Sequence, residues 1–197
     1  MAIVVEHDKR RKKILEKALV VFMDDGFENA TFQKIADKCG ITRTILYLYF
    51  KNKREIFIYS IKQLLLNLEE NIKLIIADKS LRSTDKITKV LFTIFKVFEQ
   101  NRQFICVVHD YLLHLSKGDG DPEARVRRRT VKFRHILSTI VIEGVKAGDL
   151  KKINVKTVHN FFYSFVEAAI FQLVVYKRNN LADLKETAAF AIKQLAA

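Results

Sequence analysis

Apolar residues recur along this chain at the spacing of one helix face. Ile14, Leu15, Ala18, Leu19 and Phe22 form a first stripe, which predicts a helix ending at Asp24-Asp25-Gly26, where glycine tolerates the left-handed conformation. Thr31 is placed to cap a second helix, with Phe32, Ile35 and Ala36 on its buried side, and Cys39-Gly40 stops it after about two turns. Thr42 can cap a third helix, given an apolar side by Leu46, Tyr49 and Phe50. Asn52 and Glu55 have capping-box spacing and predict a fourth, running through Ile56, Leu64, Leu68 and Ile72 towards Ala77.

The helical period continues to the end, with further helices expected near 84–99, 102–116, 122–147, 155–178 and 181–196. Asp121 and Pro122 suit the cap and first position of the long 122–147 helix, and residues 117–120 read as a flexible loop. No strand-like alternation and no repeat of fixed period is present. The expected fold is all-α with about nine helices, a three-helix N-terminal domain over 1–55 and a larger helical domain over 56–197.

The segment from Val155 to Tyr176 is apolar around most of its circumference. Lys156 and Glu167 leave uncharged runs of ten and nine residues, well short of the roughly 20 that span a bilayer. Burial on more than one side is therefore expected, and the last helix offers a second apolar stripe. A homodimer interface of helix pairs follows, with Phe171, Val175, Leu184, Ala188, Ala191 and Leu195 as candidate contacts.

Composition narrows the picture. The 197 residues include 6 Gly and 1 Pro, where average usage would give roughly 24, so long uninterrupted helices are favoured over a loop-rich β fold. The first residues show neither a positive leader nor a long apolar run, and Cys39 and Cys106 form no CxxC pair or disulfide framework. Both features fit a reducing, cytoplasmic setting. The net charge of +13 suggests a polyanionic partner. Residues 1–55 carry 12 Lys+Arg against 8 Asp+Glu, however, so bulk charge does not single out the N-terminal part.

The stretch from Thr31 to Phe50 is a short helix, a glycine-containing turn and a second short helix, the pattern of a helix-turn-helix whose second helix enters the DNA major groove. Ile35, Ala36, Ile41 and Leu46 would set the interhelical angle and leave Arg43, Thr44, Tyr47 and Leu48 outside. Arginine pairs with guanine O6 and N7, hydroxyls bind phosphates or base edges, and an exposed leucine contacts a thymine methyl. Tyr47 and Tyr49 lie about 200° apart on a helix, so both cannot be core. The run Lys9-Arg10-Arg11-Lys12-Lys13 reads equally as further phosphate contacts or as a solvated first turn.

Residues 9–57 resemble the N-terminal domain of TetR-family transcriptional repressors, through Ile35-Ala36, Gly40-Ile41-Thr42, Leu46-Tyr47-Leu48-Tyr49-Phe50 and Lys53. The resemblance implies a homodimeric, all-helical repressor with a small-molecule inducer. It also implies that Tyr47, Tyr49 and Lys53 touch phosphates, that Thr31 holds one at the start of the second helix, and that Arg43, Thr44 and Leu48 face bases. Gln33 and Thr42 complete the candidate DNA-binding set. The chain departs from the family pattern at Thr44 and Ile45; the latter replaces a hydroxyl that could donate to phosphate.

The second domain carries no equally sharp motif. Aromatic and polar residues within apolar helices supply the candidate inducer pocket: Phe92, Phe95, Phe104, His109, Tyr111, Phe133, Phe161, Phe162 and Phe165. His109 and His114 stand about 140° apart on a helix, so a shared metal is not expected, and no cofactor signature is present. Nucleophile–base pairs, phosphate loops and dinucleotide glycines are likewise missing, which argues against an enzyme. Residues 125–134 hold six positive charges and no acid. They are a solvated face, an anion site, or, as the alternative function, a module for an anionic partner or membrane surface.

Overall fold

The computed structural model describes the backbone of residues 2–116 and 122–197; side chains of residues 2–5, 122–130 and 132 lie outside the description. Nine helices are found among the described residues: α1 (Ala2–Asn29), α2 (Phe32–Cys39), α3 (Arg43–Tyr47), α4 (Lys53–Ala77), α5 (Ser83–Gln100), α6 (Arg102–Ser116), α7 (Pro122–Ala147), α8 (Val155–Val174) and α9 (Ala182–Lys193). The fold is all-α, and the remaining backbone pairing among the described residues is an isolated antiparallel bridge between Leu150 and Ala196. The expected Asp121 cap and the 117–120 loop lie outside the described residues.

Local signals explain the end of α1 and the starts of α2, α3 and α4. α1 breaks at Gly26 (φ 74°, ψ 171°), and one short turn continues to Asn29. The Thr31 hydroxyl accepts from Lys34 N–H at 3.2 Å, and that of Thr42 from Ile45 N–H at 3.3 Å. Asn52 Oδ1 accepts from Glu55 N–H at 2.9 Å. The reciprocal bond of this box reaches one residue further back, with Lys51 N–H donating to Glu55 Oε2 at 2.6 Å.

Later ends are made by distant residues. Asp149 Oδ2 accepts from both Ser83 N–H and Ser83 Oγ–H at 3.1 Å, capping α5 from the α7–α8 connection. Glu99 of α5 caps α9: its Oε1 accepts from Leu181 N–H at 2.7 Å, while Lys185 Nζ lies 2.7 Å from Oε2. α8 stops at Val174 rather than reaching 178. Arg102 Nε donates to Leu173 O at 3.2 Å, one of its guanidinium amino nitrogens donates to Asn179 Oδ1 at 3.0 Å, and Lys177 takes a positive φ of 54°.

Two apolar clusters result. The first joins Ile14, Ala18, Phe22, Ile35, Ala36, Leu46 and Phe50 of the first three helices and the turn after α3 to Ile56 and Phe57 of α4 and Phe104, Val107 and Tyr111 of α6. The second gathers Leu68 and Ile72 of α4 with Ile87, Leu91 and Phe95 of α5, Val141 of α7, Phe162 and Leu173 of α8, and Ala188 and Ile192 of α9. α4 thus begins in one cluster and ends in the other, the arrangement by which one rigid rod connects a small head to a larger body.

Candidate nucleic-acid interface

The helix pair α2 and α3 is anchored by Ile35, Ala36 and Leu46, all fully buried. Between them Gly40 adopts φ 69°, ψ 33°, a left-handed conformation that a side chain would strain, and its N–H donates to Asp37 O at 3.0 Å. Ile41 N–H then donates to Ala36 O at 3.1 Å, turning the chain directly into α3. Cys39, half-buried at the end of α2, has its thiol pushed up by burial, against a smaller opposing effect of Lys17. It packs rather than reacts.

This anchoring leaves Arg43, Thr44, Tyr47 and Leu48 on the outer surface of α3 and its end. Leu48 is 74% exposed, an apolar side chain that nothing in its own domain covers. Ile45 is also exposed on this surface. Arg43 is pre-positioned, since a terminal amino group of its guanidinium donates to Tyr47 Oη at 3.1 Å, and the Tyr47 ring lies 4.5 Å from that of Phe32. Thr31 and Thr42 use a lone pair for capping, so each keeps its hydroxyl proton to donate to an anion. Gln33 is exposed, with Nε2 donating to Asp37 Oδ1 at 2.8 Å.

Tyr49 and Lys53 sit differently. The half-buried Tyr49 stacks on His7 with ring centroids 4.6 Å apart, a contact across the sequence that no local pattern reveals. Lys53 Nζ donates to Phe27 O at 2.9 Å and Glu28 O at 2.7 Å, closing the end of α1; one of its three protons remains for another acceptor. The surface therefore offers hydroxyls, one held guanidinium, a partly engaged ammonium and an apolar tip, a set suited to phosphates, base edges and methyl groups.

In the body, Phe95 and Phe162 are buried in the second cluster, with Phe92, Phe133, Phe161 and Phe165 packed against it. Phe161 and Phe165 meet edge to face at 5.1 Å. Phe104 and Tyr111 lie instead in the first cluster, against Phe57 and Phe27. His109 presents a buried Nδ1 with no hydrogen-bond partner among the described residues, and Asp110 Oδ1 stands 3.7 Å from it. Of the dimer candidates, Phe171 and Val175 are each 49% exposed, whereas Leu184 and Ala188 are buried in the chain's own core and Ala191 and Leu195 are half-buried. Phe190 and Tyr176, not among those candidates, are exposed on α9 and just past α8. Most of the basic run 125–134 lies outside the described side chains; within it, the Arg134 guanidinium stands 4.9 Å over the Tyr163 ring. No group of metal-ligating side chains and no helix able to cross a membrane occurs among the described residues.

Residues 14–59 match the model of bacterial regulatory proteins of the tetR family. The chain is 23% identical over 163 residues to the fatty acid metabolism regulator protein of Bacillus subtilis (strain 168), covering 80% of each. A TetR transcription regulator from Haloarcula marismortui superposes with a TM-score of 0.80 at 15% identity, covering 96% of this chain and 97% of the other. FadR from Bacillus subtilis, solved in complex with stearoyl-CoA, gives a TM-score of 0.72 at 21% identity over 92% of this chain and 96% of its own. At these identities the structural likeness establishes the shared fold.

Proposed function

We propose that this chain, which belongs to the tetR family of bacterial regulatory proteins, represses transcription from a palindromic operator as a cytoplasmic homodimer and is released by an amphipathic small molecule. It is a DNA-binding transcriptional regulator and not an enzyme. The observation that carries the repressor reading is the outer surface of α3, where Arg43, Thr44, Tyr47 and the bare Leu48 stand together between hydroxyls poised for phosphate. Two such surfaces, one per protomer, would enter successive major grooves about one DNA turn apart. In this reading residues 1–55 read DNA and residues 56–197 hold ligand and partner, with the exposed Phe171 and Val175 meeting a second copy.

The proposed inducer is a long-chain acyl thioester of coenzyme A. Support comes from the seven phenylalanines gathered at the second cluster, from a relative named for fatty acid metabolism and from a neighbour of the same fold that holds stearoyl-CoA. The sequence of 125–134 supplies cations for the phosphates of such a ligand. An acyl chain entering among these phenylalanines would favour one packing of α5, α7 and α8 over another, and α4 would carry the difference to the head. Such a shift needs unequal affinity for the two states.

Selection of bound sequences from a random duplex pool, followed by titration with stearoyl-CoA, tests both halves. A palindrome should emerge, and Arg43→Ala should relax preference at one base pair per half-site by about 1–3 kcal/mol. Recovery of sequences no different from the input pool would reject specific repression, and a complex indifferent to acyl-CoA would reject the inducer.

A further inference from the structure

We propose that a groove between α1 and α4, outside the reading surface, holds phosphates of the DNA backbone beyond the base pairs that α3 contacts. The groove encloses about 330 Å³ and is lined by Arg11, Lys12 and Lys62 above buried Leu15, with Tyr59 in its wall and Asp8 its one carboxylate. This inference rests on the chain's binding DNA through α3 and extends the contact up the flank of the head.

Its position follows from a stack. His7 lies against Tyr49 at the end of the reading segment, and Arg11 is one helical turn further along α1, on the same face. The groove therefore continues the reading surface. Arg11 is held in place by aromatic rings, its guanidinium carbon 4.0 Å from the Tyr59 centroid and 5.0 Å from that of Phe50. Stacking occupies the faces of a guanidinium and leaves its in-plane N–H groups to donate. Lys62 Nζ approaches the same Tyr59 ring from 5.7 Å. Among the described residues none of these three cations forms an ion pair, although Lys34, Lys73 and Lys185 elsewhere do. Like charges gathered around one cavity repel, and an anion relieves that repulsion. Successive phosphates of a duplex are the anions that run past this flank once α3 is in the groove.

The test compares full-length wild type with Lys12→Gln/Lys62→Gln and, as a charge control on the body, Lys152→Gln/Lys156→Gln. Affinity for a fluorescent mixed-sequence duplex of about three helical turns is measured from about 50 to 200 mM salt. The groove variant should lower the log–log salt slope by about 0.9 per lost contact, close to 2 per bound protomer, while the control keeps the wild-type slope. An unchanged slope in the groove variant, or an equal loss in the control, overturns the proposal. Wild type that binds no duplex in a salt-dependent way would overturn the DNA reading itself, a distinct result. A melting-temperature rise with inorganic pyrophosphate in wild type but not in the groove variant, with equal DNA slopes, would assign the groove to a soluble phosphate and also overturn it.

Discussion

Arg54 on α4 donates its Nε–H to Tyr111 Oη on α6 at 3.1 Å, joining two residues 57 positions apart where the head meets the body. The Tyr111 ring lies edge-on to Phe27 at 4.6 Å and to Phe57 at 5.1 Å. Nearby, His114 Nε2 approaches Glu28 Oε1 at 3.7 Å. α6 thus touches the head directly, and α4 reaches it along its own axis, so movement of one helix relative to the other must alter this junction.

Tyr111→Phe keeps the ring and removes the hydroxyl. Loss of one such bond should cost about 1 kcal/mol in denaturant unfolding. If the junction transmits the ligand signal, this variant should bind operator like wild type yet need a different acyl-CoA concentration for release. Identical release curves would exclude the bond from signalling.

Gly144 of α7 faces the start of α5 so closely that a Cβ there would stand 2.5 Å from Ser83 Oγ and 2.7 Å from Leu150 Cδ1. Gly144→Ala must push these groups apart and strain the Asp149 cap on Ser83. A loss of about 1–3 kcal/mol is expected, read as a lower denaturation midpoint at constant m-value. An unshifted midpoint would show that α5 and α7 separate freely.

The outer faces of α8 and α9 make opposite predictions for neighbouring substitutions. Phe171→Glu/Phe190→Glu places charges at exposed positions, so circular dichroism should keep its helical signal while light scattering reports half the mass. Leu184→Glu buries an unpaired carboxylate among core residues and should unfold the body. A double variant that remains dimeric would move the interface elsewhere.

Asp78 follows α4, and its carboxylate accepts from Ser80 Oγ–H at 2.6 Å and Ser80 N–H at 2.9 Å. These bonds hold its pKa below 3.8, the side-chain bond contributing most. A carboxylate with a depressed folded-state pKa adds stability above its unfolded value and loses it as pH falls through the folded one. Ser80→Ala should therefore raise the Asp78 titration midpoint in NMR; a midpoint that stays put would assign the depression to the backbone bond and to Lys89 and Lys86 instead.

Much of the head was legible because its determinants are local. Thr31, Thr42 and Asn52 each cap the helix that begins at the next residue, and Gly40 turns the chain within its own hydrogen bonds. The body was less legible for the same reason in reverse. Phe104 and Tyr111 share helical spacing with core residues of either cluster, and spacing carries no record of which neighbour they face. The stripe of Leu184 and Ala188 is equally ambiguous between a partner and the chain's own core, and here it packs inward.

By itself the sequence determined helix content, the break at Gly26, the helix-turn-helix and the identity of its outward side chains, since these depend on periodicity and on bonds spanning three or four residues. Only the tertiary structure decided how α5, α8 and α9 end or begin, through Asp149, Arg102 and Glu99, and which groups Arg11 and Lys53 engage. Those choices rest on hydrogen bonds and ring contacts between residues from 25 to 86 positions apart. Chain folding brings such partners together, and no local pattern encodes them.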